Sequence, residues 1–290
     1  MIKAPRLPTH RYEGKITDPS RWNALRPRVG DIVVSTPPKS GTTWLQGILA
    51  LLISGDPNVD ADVTNNAPWF DINLRELDEV IKKLDAQTQL RQIKTHTPLD
   101  GIPVWPDLRY ISIYRHPIDV HFSFRKHLSN MTQDVLGDVY PDDISESFRI
   151  FLEGDHFDGA SLSTIVSHYR SALQAEPMEN LLRLHYADMR RDLPGGFARI
   201  ARHIGIRHDD TLLKALIDAA SFTNMKANAD RFAVAAGNGF WRKDADFFDS
   251  ATSNKWVGIL SKADLAAYDA RMSELLDPEE RRWLEWGTPS

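Results

Sequence analysis

The run Pro38-Lys39-Ser40-Gly41-Thr42-Thr43-Trp44 gathers a cation, three hydroxyls and a glycine at one turn of the chain. The apolar stretch Asp31-Ile32-Val33-Val34-Ser35 precedes it, and a helix-like stretch from Leu45 to Ile53 follows. A tight strand-to-helix turn exposes backbone N–H groups at the helix start, and those groups with the helix dipole favour an anion. Gly41 lets the backbone approach a ligand closely. Lys39 adds positive charge, and Ser40, Thr42 and Thr43 add hydroxyl donors. The chemistry is phosphate binding, with the aromatic Trp44 at its end. The plainer alternative is a Thr-rich helix N-terminus beside an exposed lysine. The order is not that of the ordinary P-loop, in which the lysine follows the second glycine.

Two further groups of residues could act on a bound anion. In Ile93-Lys94-Thr95-His96-Thr97-Pro98, strand alternation sends Lys94 and His96 to one side, with Cβ atoms roughly 7 Å apart. Histidine can take a proton near neutral pH, and lysine can stabilise charge developing on a bridging oxygen. A hydrogen-bonded histidine at a strand end is the bland reading. In Tyr110-Ile111-Ser112-Ile113-Tyr114-Arg115-His116-Pro117, a strand ends in arginine where a kinase or ATPase often carries a Mg²⁺-holding acid. Arg115 offers a bidentate fork for phosphate, and Ser123, eight residues on, adds a hydroxyl from the next helix.

These segments, in this order, resemble the PAPS-dependent sulfotransferases, enzymes that use 3′-phosphoadenosine 5′-phosphosulfate. Residues 38–44 are similar to the family's 5′-phosphosulfate loop, Lys-Thr-His-x-Pro to its catalytic segment, and strand-Arg-x-Pro-x-Asp-x-x-x-Ser to its 3′-phosphate motif. The resemblance spans roughly residues 30 to 260. It implies His96 as general base, Lys39 and Lys94 as catalytic lysines, and Arg115 and Ser123 on the 3′-phosphate. Tyr186, in Tyr186-Ala187-Asp188-Met189, resembles the family's adenine-contacting tyrosine. Phe222, in Ser221-Phe222-Thr223-Asn224-Met225, resembles the phenylalanine beside the base. Trp44 and Phe222 could then sandwich a purine, core packing being the alternative for both. Arg242 and Lys243 match the family's basic pair, but Asp244 stands where the family has glycine, and Phe247 and Phe248 lie in an inserted stretch before Trp256. The dimerisation segment of many animal members has no match, which leaves the oligomeric state open.

The implied reaction moves a sulfuryl group from PAPS to a hydroxyl or amine of a small, partly apolar acceptor and releases PAP, without a metal. Trp69, Phe70, Phe122 and His127 are candidates for the acceptor pocket, with simple core packing as the competing reading. The alternatives are a P-loop nucleotide kinase or NTPase, a catalytically weakened nucleotide-binding protein, and an enzyme that sulfonates before elimination.

The elements that must position these groups alternate along the chain. Strands are expected over Asp31–Thr36, Gln92–Thr97, Leu108–Tyr114 and Leu181–Tyr186. Helices are expected over Thr42–Ser54, Asn73–Leu84, from Pro117, around Ser145–Leu152 and over Phe197–Ile204. This predicts a single α/β domain with a central, mainly parallel sheet flanked by helices, P-loop NTPase-like, over residues 29–290 behind an N-terminal arm of residues 1–28. Acceptor or lid segments are expected at about 60–90, 129–159 and 228–254.

Composition fits one large domain: 290 residues, 42% hydrophobic and 26% charged. A net charge of −5 without a basic tract argues against nucleic acid or an anionic membrane as partner. The absence of cysteine rules out thiol catalysis and disulfides. The N-terminus lacks a signal-peptide core and no stretch is long and apolar enough for a span, so a cytoplasmic protein is expected.

Overall fold

The computed structural model describes residues 2–133, 136–137, 139–158, 160–175, 178–232, 239–243 and 252–289. Asp244, Phe247 and Phe248 lie outside the described residues.

Four strands form the sheet: β1 (Ile32–Ser35), β2 (Gln92–Thr95), β3 (Arg109–Tyr114) and β4 (Leu181–His185). Their order is β2-β1-β3-β4, and every pair is parallel. Each expected strand forms, trimmed at its ends. His96 and Thr97 lie just past β2, and Tyr186 opens a helix instead of closing β4. The helices in chain order are α1 (Thr42–Ser54), α2 (Val63–Asn66), α3 (Leu77–Ala86), α4 (Pro117–Asn130), α5 (Ile144–Glu153) and α6 (Leu162–Gln174). They continue as α7 (Tyr186–Arg191), α8 (Leu193–Ile204), α9 (Asp210–Ala219), α10 (Phe222–Ala227), α11 (Ala229–Phe232), α12 (Lys262–Leu275) and α13 (Pro278–Trp286). None is long and apolar enough to cross a membrane among the described residues.

Side-chain alternation splits the sheet into two buried faces. Val33, Tyr110 and Tyr114 pack with Ile118 and Phe124 of α4, Phe148 and Phe151 of α5, and Ile165 and Tyr169 of α6. Ile32, Val34, Ile111 and Ile113 pack on the other side with Leu45, Ile48 and Leu49 of α1 and Phe197 and Ile200 of α8. Both faces are covered, which is why the strands read as near-continuous apolar runs. The N-terminal arm contributes to this core at a few positions. A 3₁₀ turn over Pro19–Ala24 buries Trp22, and Ile16 is buried beside it.

Charge is compensated at the sheet's amino end. Arg91 grips Asp31 with two bonds, Nε to Oδ1 at 2.8 Å and an Nη to Oδ2 at 2.6 Å, both side chains buried. The pair locks the entry of β1 to that of β2, away from the carboxyl edge where a ligand binds in open sheets of this kind.

Several histidines are core residues. His168 sits between Ser35 Oγ (3.1 Å) and the Tyr114 hydroxyl (2.8 Å). Burial pushes its pKa down to about 3, as it does for His116 and His121, and brings that of His185 to about 4. The unfolded chain takes up these protons below the ordinary histidine pKa of about 6.5, while the fold keeps the rings neutral. Their contribution to stability is therefore complete above pH 6.5 and lost as pH falls toward 3–4. Unfolding free energies from urea titrations at pH 7, 6 and 5 should drop at each step, by at most about 1.4 kcal/mol per pH unit for each such histidine. A flat profile across this range contradicts the assignment.

Candidate active site

The loop between β1 and α1 is shaped by two residues with positive φ. Lys39 (φ 61°) and Gly41 (φ 110°) both occupy left-handed backbone, which turns the chain sharply out of β1 and into α1. Gly41 is required there for a second reason: a Cβ would lie 2.9 Å from Tyr186 Cδ2. Gly41 caps α1 without any side-chain bond, so the first-turn N–H groups have no cap. Thr42 Oγ1 instead meets Thr36 Oγ1 at 2.6 Å and holds the two ends of the loop together. Ser40 is buried, and its Oγ has no hydrogen-bond partner among the described residues.

Parallel pairing then delivers the second group. Register sets Val34 beside Lys94 and Ser35 beside Thr95, so the next residues, Thr36 and His96, also lie side by side. The Nδ1–H of His96 donates to the Thr36 carbonyl at 2.7 Å. A carbonyl only accepts, so Nδ1 carries the ring proton and Nε2 keeps its lone pair. Burial, reinforced by Lys94, holds the pKa of His96 well below the ordinary value. The ring is therefore a neutral base at physiological pH. Burial and the neighbouring Lys39 bring Lys94 down to about 7. The Lys94 ammonium sits 4.2 Å above the Trp69 ring, and that ring meets His96 edge-on at 4.6 Å.

Lys39, Lys94 and His96 open into one cavity of about 530 Å³. Gly41, Thr42, Thr43 and Trp44 line its loop end, with Arg115 and Ser123 beyond them. The Arg115 guanidinium lies 4.7 Å over the Tyr186 ring, and one Nη donates to the Thr252 carbonyl at 3.2 Å. Trp44 meets Tyr186 edge-on at 5.4 Å, and its indole N–H donates to the Ala220 carbonyl at 2.8 Å. Phe222 also lines this end. The apolar side chains Ile16, Ile72, Leu74, Met131 and Leu136 also line the cavity, together with Arg75, Gln133 and Asp158. All three expected lid segments reach the cavity, the last through Phe240 and Trp241.

Five sequence-predicted residues fall elsewhere. Phe70 is fully buried against Trp22, ring centroids 5.0 Å apart, because strand-like alternation sends it opposite to Trp69. Phe122 turns away from the cavity. On α4 the face toward the ligand space carries Ser123, Phe124 and His127, and Phe124 takes the expected place of Phe122. Arg242 and Lys243 are exposed outside the cavity wall, with Arg242 Nε donating to the Ser129 carbonyl at 3.1 Å. Ser40 lies beneath the loop and does not line the cavity.

His127, expected in the acceptor pocket, lines the cavity and makes a contact that spacing alone does not suggest. Its Nδ1 accepts from the Lys39 ammonium at 3.0 Å, and its ring packs against Trp241 at 4.7 Å. Asp71 is a residue that sequence reasoning missed. It accepts from Thr95 and Thr97, the hydroxyls that alternate with Lys94 and His96, both at 2.7 Å. Two threonines at alternate positions of a buried strand end are a readable sign that an acceptor must face them.

A family model described as "Sulfotransferase domain" matches residues 29–278. A glycolipid sulfotransferase of Mycobacterium bovis is 30% identical over 307 aligned positions, which cover 95% of this chain and 94% of that one. Human sulfotransferase 1E1 is 26% identical, with 71% and 69% covered. Among solved structures, mouse sulfotransferase SULT7A1 complexed with PAP superposes with a TM-score of 0.72 at 19% identity, covering 96% of this chain and 97% of that one. Retinol dehydratase in complex with retinol and PAP gives 0.70 at 21%, covering 89% and 84%.

The loop geometry is open to test. Gly41→Ala forces a Cβ into left-handed backbone and against Tyr186. It should cost about 1–2 kcal/mol or more, seen as a thermal midpoint several degrees lower. An unchanged midpoint contradicts the strain described for this loop.

Proposed function

This chain belongs to the sulfotransferase family, and we propose that it moves a sulfuryl group from PAPS to a hydroxyl of a partly apolar acceptor with His96 as general base. One observation carries the reading: the Nδ1–H bond to Thr36 leaves Nε2 of His96 unprotonated in the cavity, beside two lysines. The residues present fit a phosphosulfate nucleotide. The glycine cradle and the uncapped start of α1 suit an anion at the loop. Arg115 and Ser123 suit a second phosphate, and Trp44, Tyr186 and Phe222 suit a purine.

PAPS supplies a sulfuryl group already activated by its mixed anhydride. His96 Nε2 accepts the proton of the acceptor hydroxyl as the oxygen attacks. Lys39, Lys94 and the N–H groups of the loop stabilise the charge left on the 5′-phosphate side. His127 holds the Lys39 ammonium at the cavity wall until that charge draws it. Arg242 and Lys243 are proposed to add positive charge at the rim, toward the 3′-phosphate. The apolar lining side chains Ile72, Leu74 and Leu136 suit the tail of an amphiphile. The mycobacterial relative's name, a glycolipid sulfotransferase, points to the same kind of acceptor.

The test is direct. Purified chain is incubated with PAPS and a panel of phenols, long-chain alcohols and glycolipids, and products are identified by mass. A gain of one sulfuryl group supports transfer, whereas loss of water from the acceptor supports sulfonation followed by elimination. His96→Ala should lower kcat by about 10²- to 10⁴-fold while PAP still binds. Near-normal turnover in that variant sinks the base assignment. Arg115→Ala should weaken PAP binding about tenfold to a hundredfold in calorimetric titration.

The pH dependence follows from the two groups. His96 is already neutral at pH 7, so it imposes no acid limb near neutrality. Lys94 loses its proton in the unliganded protein as pH rises through about 7. The kcat/KM for PAPS should therefore fall above that pH, while kcat, measured with the anion bound against Lys94, should hold to higher pH. Coincident limbs for the two parameters contradict this role for Lys94.

A further inference from the structure

We propose that Asp71 is a positioning residue for this site: its carboxylate fixes the Trp69 indole, and Trp69 in turn seats His96 and Lys94. What those two groups then do rests on the sulfuryl-transfer reading, whereas the seating itself does not.

Asp71 is fully buried, and four side-chain donors converge on it. Oδ2 accepts from Trp22 Nε1 (3.0 Å), Thr95 Oγ1 (2.7 Å) and Thr97 Oγ1 (2.7 Å). Oδ1 accepts from Trp69 Nε1 at 2.8 Å, its single hydrogen bond among the described residues. The two oxygens therefore divide the labour. Oδ2 ties the N-terminal 3₁₀ turn to the end of β2, and Oδ1 serves Trp69.

Trp69 is the element that needs holding. Residues 68–70 run along the outer edge of β2, with the Lys94 N–H donating to the Pro68 carbonyl and the Phe70 N–H to the Lys94 carbonyl, both at 2.9 Å. This backbone pairing sets where Trp69 starts but leaves its ring free to turn about the side-chain bonds. A part-buried indole N–H requires a partner. The bond to Oδ1 supplies one and stops the ring edge-on to His96 and beneath the Lys94 ammonium. Thr95 and Thr97 bracket His96 in sequence, so the same carboxylate also pins the backbone that carries the base. Asp71 is the anion whose field raises the pKa of Lys94, against Lys39 and Arg75, which lower it. No metal-ligand cluster competes for this carboxylate among the described residues.

The test compares three variants of the full chain. Asp71→Asn removes the charge and puts an N–H₂ toward one of two indole donors. Trp69→Phe keeps a ring but removes the bond to Oδ1. Trp22→Phe removes an Oδ2 donor that touches neither His96 nor Lys94. The first readout needs no acceptor: Lys94 is labelled with acetic anhydride from pH 6 to 9, and its acetylation is followed by peptide mass spectrometry. In Asp71→Asn the Lys94 pKa should fall, and a fall of one unit from about 7 makes the reactive amine about fivefold more abundant at pH 6. Trp22→Phe should leave that titration unchanged while lowering the thermal midpoint. The second readout is kcat with PAPS and the best acceptor of the panel. It should drop at least tenfold in Trp69→Phe and Asp71→Asn, with PAP affinity within twofold of the parent, and stay within twofold in Trp22→Phe. Equal losses of kcat in the two tryptophan variants, or an unshifted Lys94 in Asp71→Asn, overturn the proposal. If Asp71→Asn fails to fold, the tryptophan pair decides it. Absence of transfer by the parent protein counts against the functional reading, and the Lys94 titration still decides the role of Asp71.

Discussion

The bond from His96 Nδ1 to the Thr36 carbonyl is the constraint on which the site depends. It joins the residue after β1 to the residue after β2, at the edge where both strands end. One partner leads into the loop that carries Lys39 and Gly41, and the other is the imidazole proposed as the base. Because the acceptor is a carbonyl, the same bond decides the tautomer of the ring. Parallel pairing in register is what makes it possible, and the buried Arg91–Asp31 pair secures that register from the opposite end of the strands. Removing either member of such a pair leaves an uncompensated buried charge, an outcome far costlier than losing a surface ion pair.

Around this bond the protein gathers cations and withholds water. Lys39, Lys94 and Arg115 face one cavity, and mutual repulsion with burial makes each additional charge unfavourable until an anion arrives. The unliganded protein meets this in separate ways. Lys94 lies over an indole and has a pKa near neutrality, Lys39 donates to His127, and Arg115 rests on Tyr186 within 3.9 Å of Asp119. The dianionic ligand proposed above would reverse the balance. Aromatic faces lie beside Lys94 and Arg115, where they attract a cation without adding a full negative charge.

Much of the architecture was legible in local pattern. The turn between β1 and α1 was readable because Gly41 and the apolar runs on either side have strand and helix spacing. Helix α4 was readable from Pro117 at its first turn. Helix α6 carries the same kind of signal, with Leu162, Ile165, Val166 and Tyr169 at helical intervals, yet it is absent from the expectations above. Helix α3 starts at Leu77 and not at Asn73, since residues 69–72 first pair with β2 and the N-terminal segment. The errors at Phe70 and Phe122 have one cause. An aromatic residue in a functional segment has two sides to choose from, and composition does not say which side faces the ligand.

The sequence by itself determined the family, the parallel α/β order and the residue types offered at the carboxyl edge of the sheet. Those features rest on strand and helix periods that act over a few residues. Tertiary structure alone decided which of those residues meet. The partners of His96, Lys39 and Asp71 lie 60, 88 and up to 49 residues away along the chain. Their contacts arise only when the sheet closes and buries them, because a hydrogen bond or a shifted pKa depends on distance and on exclusion of water, neither of which local spacing encodes.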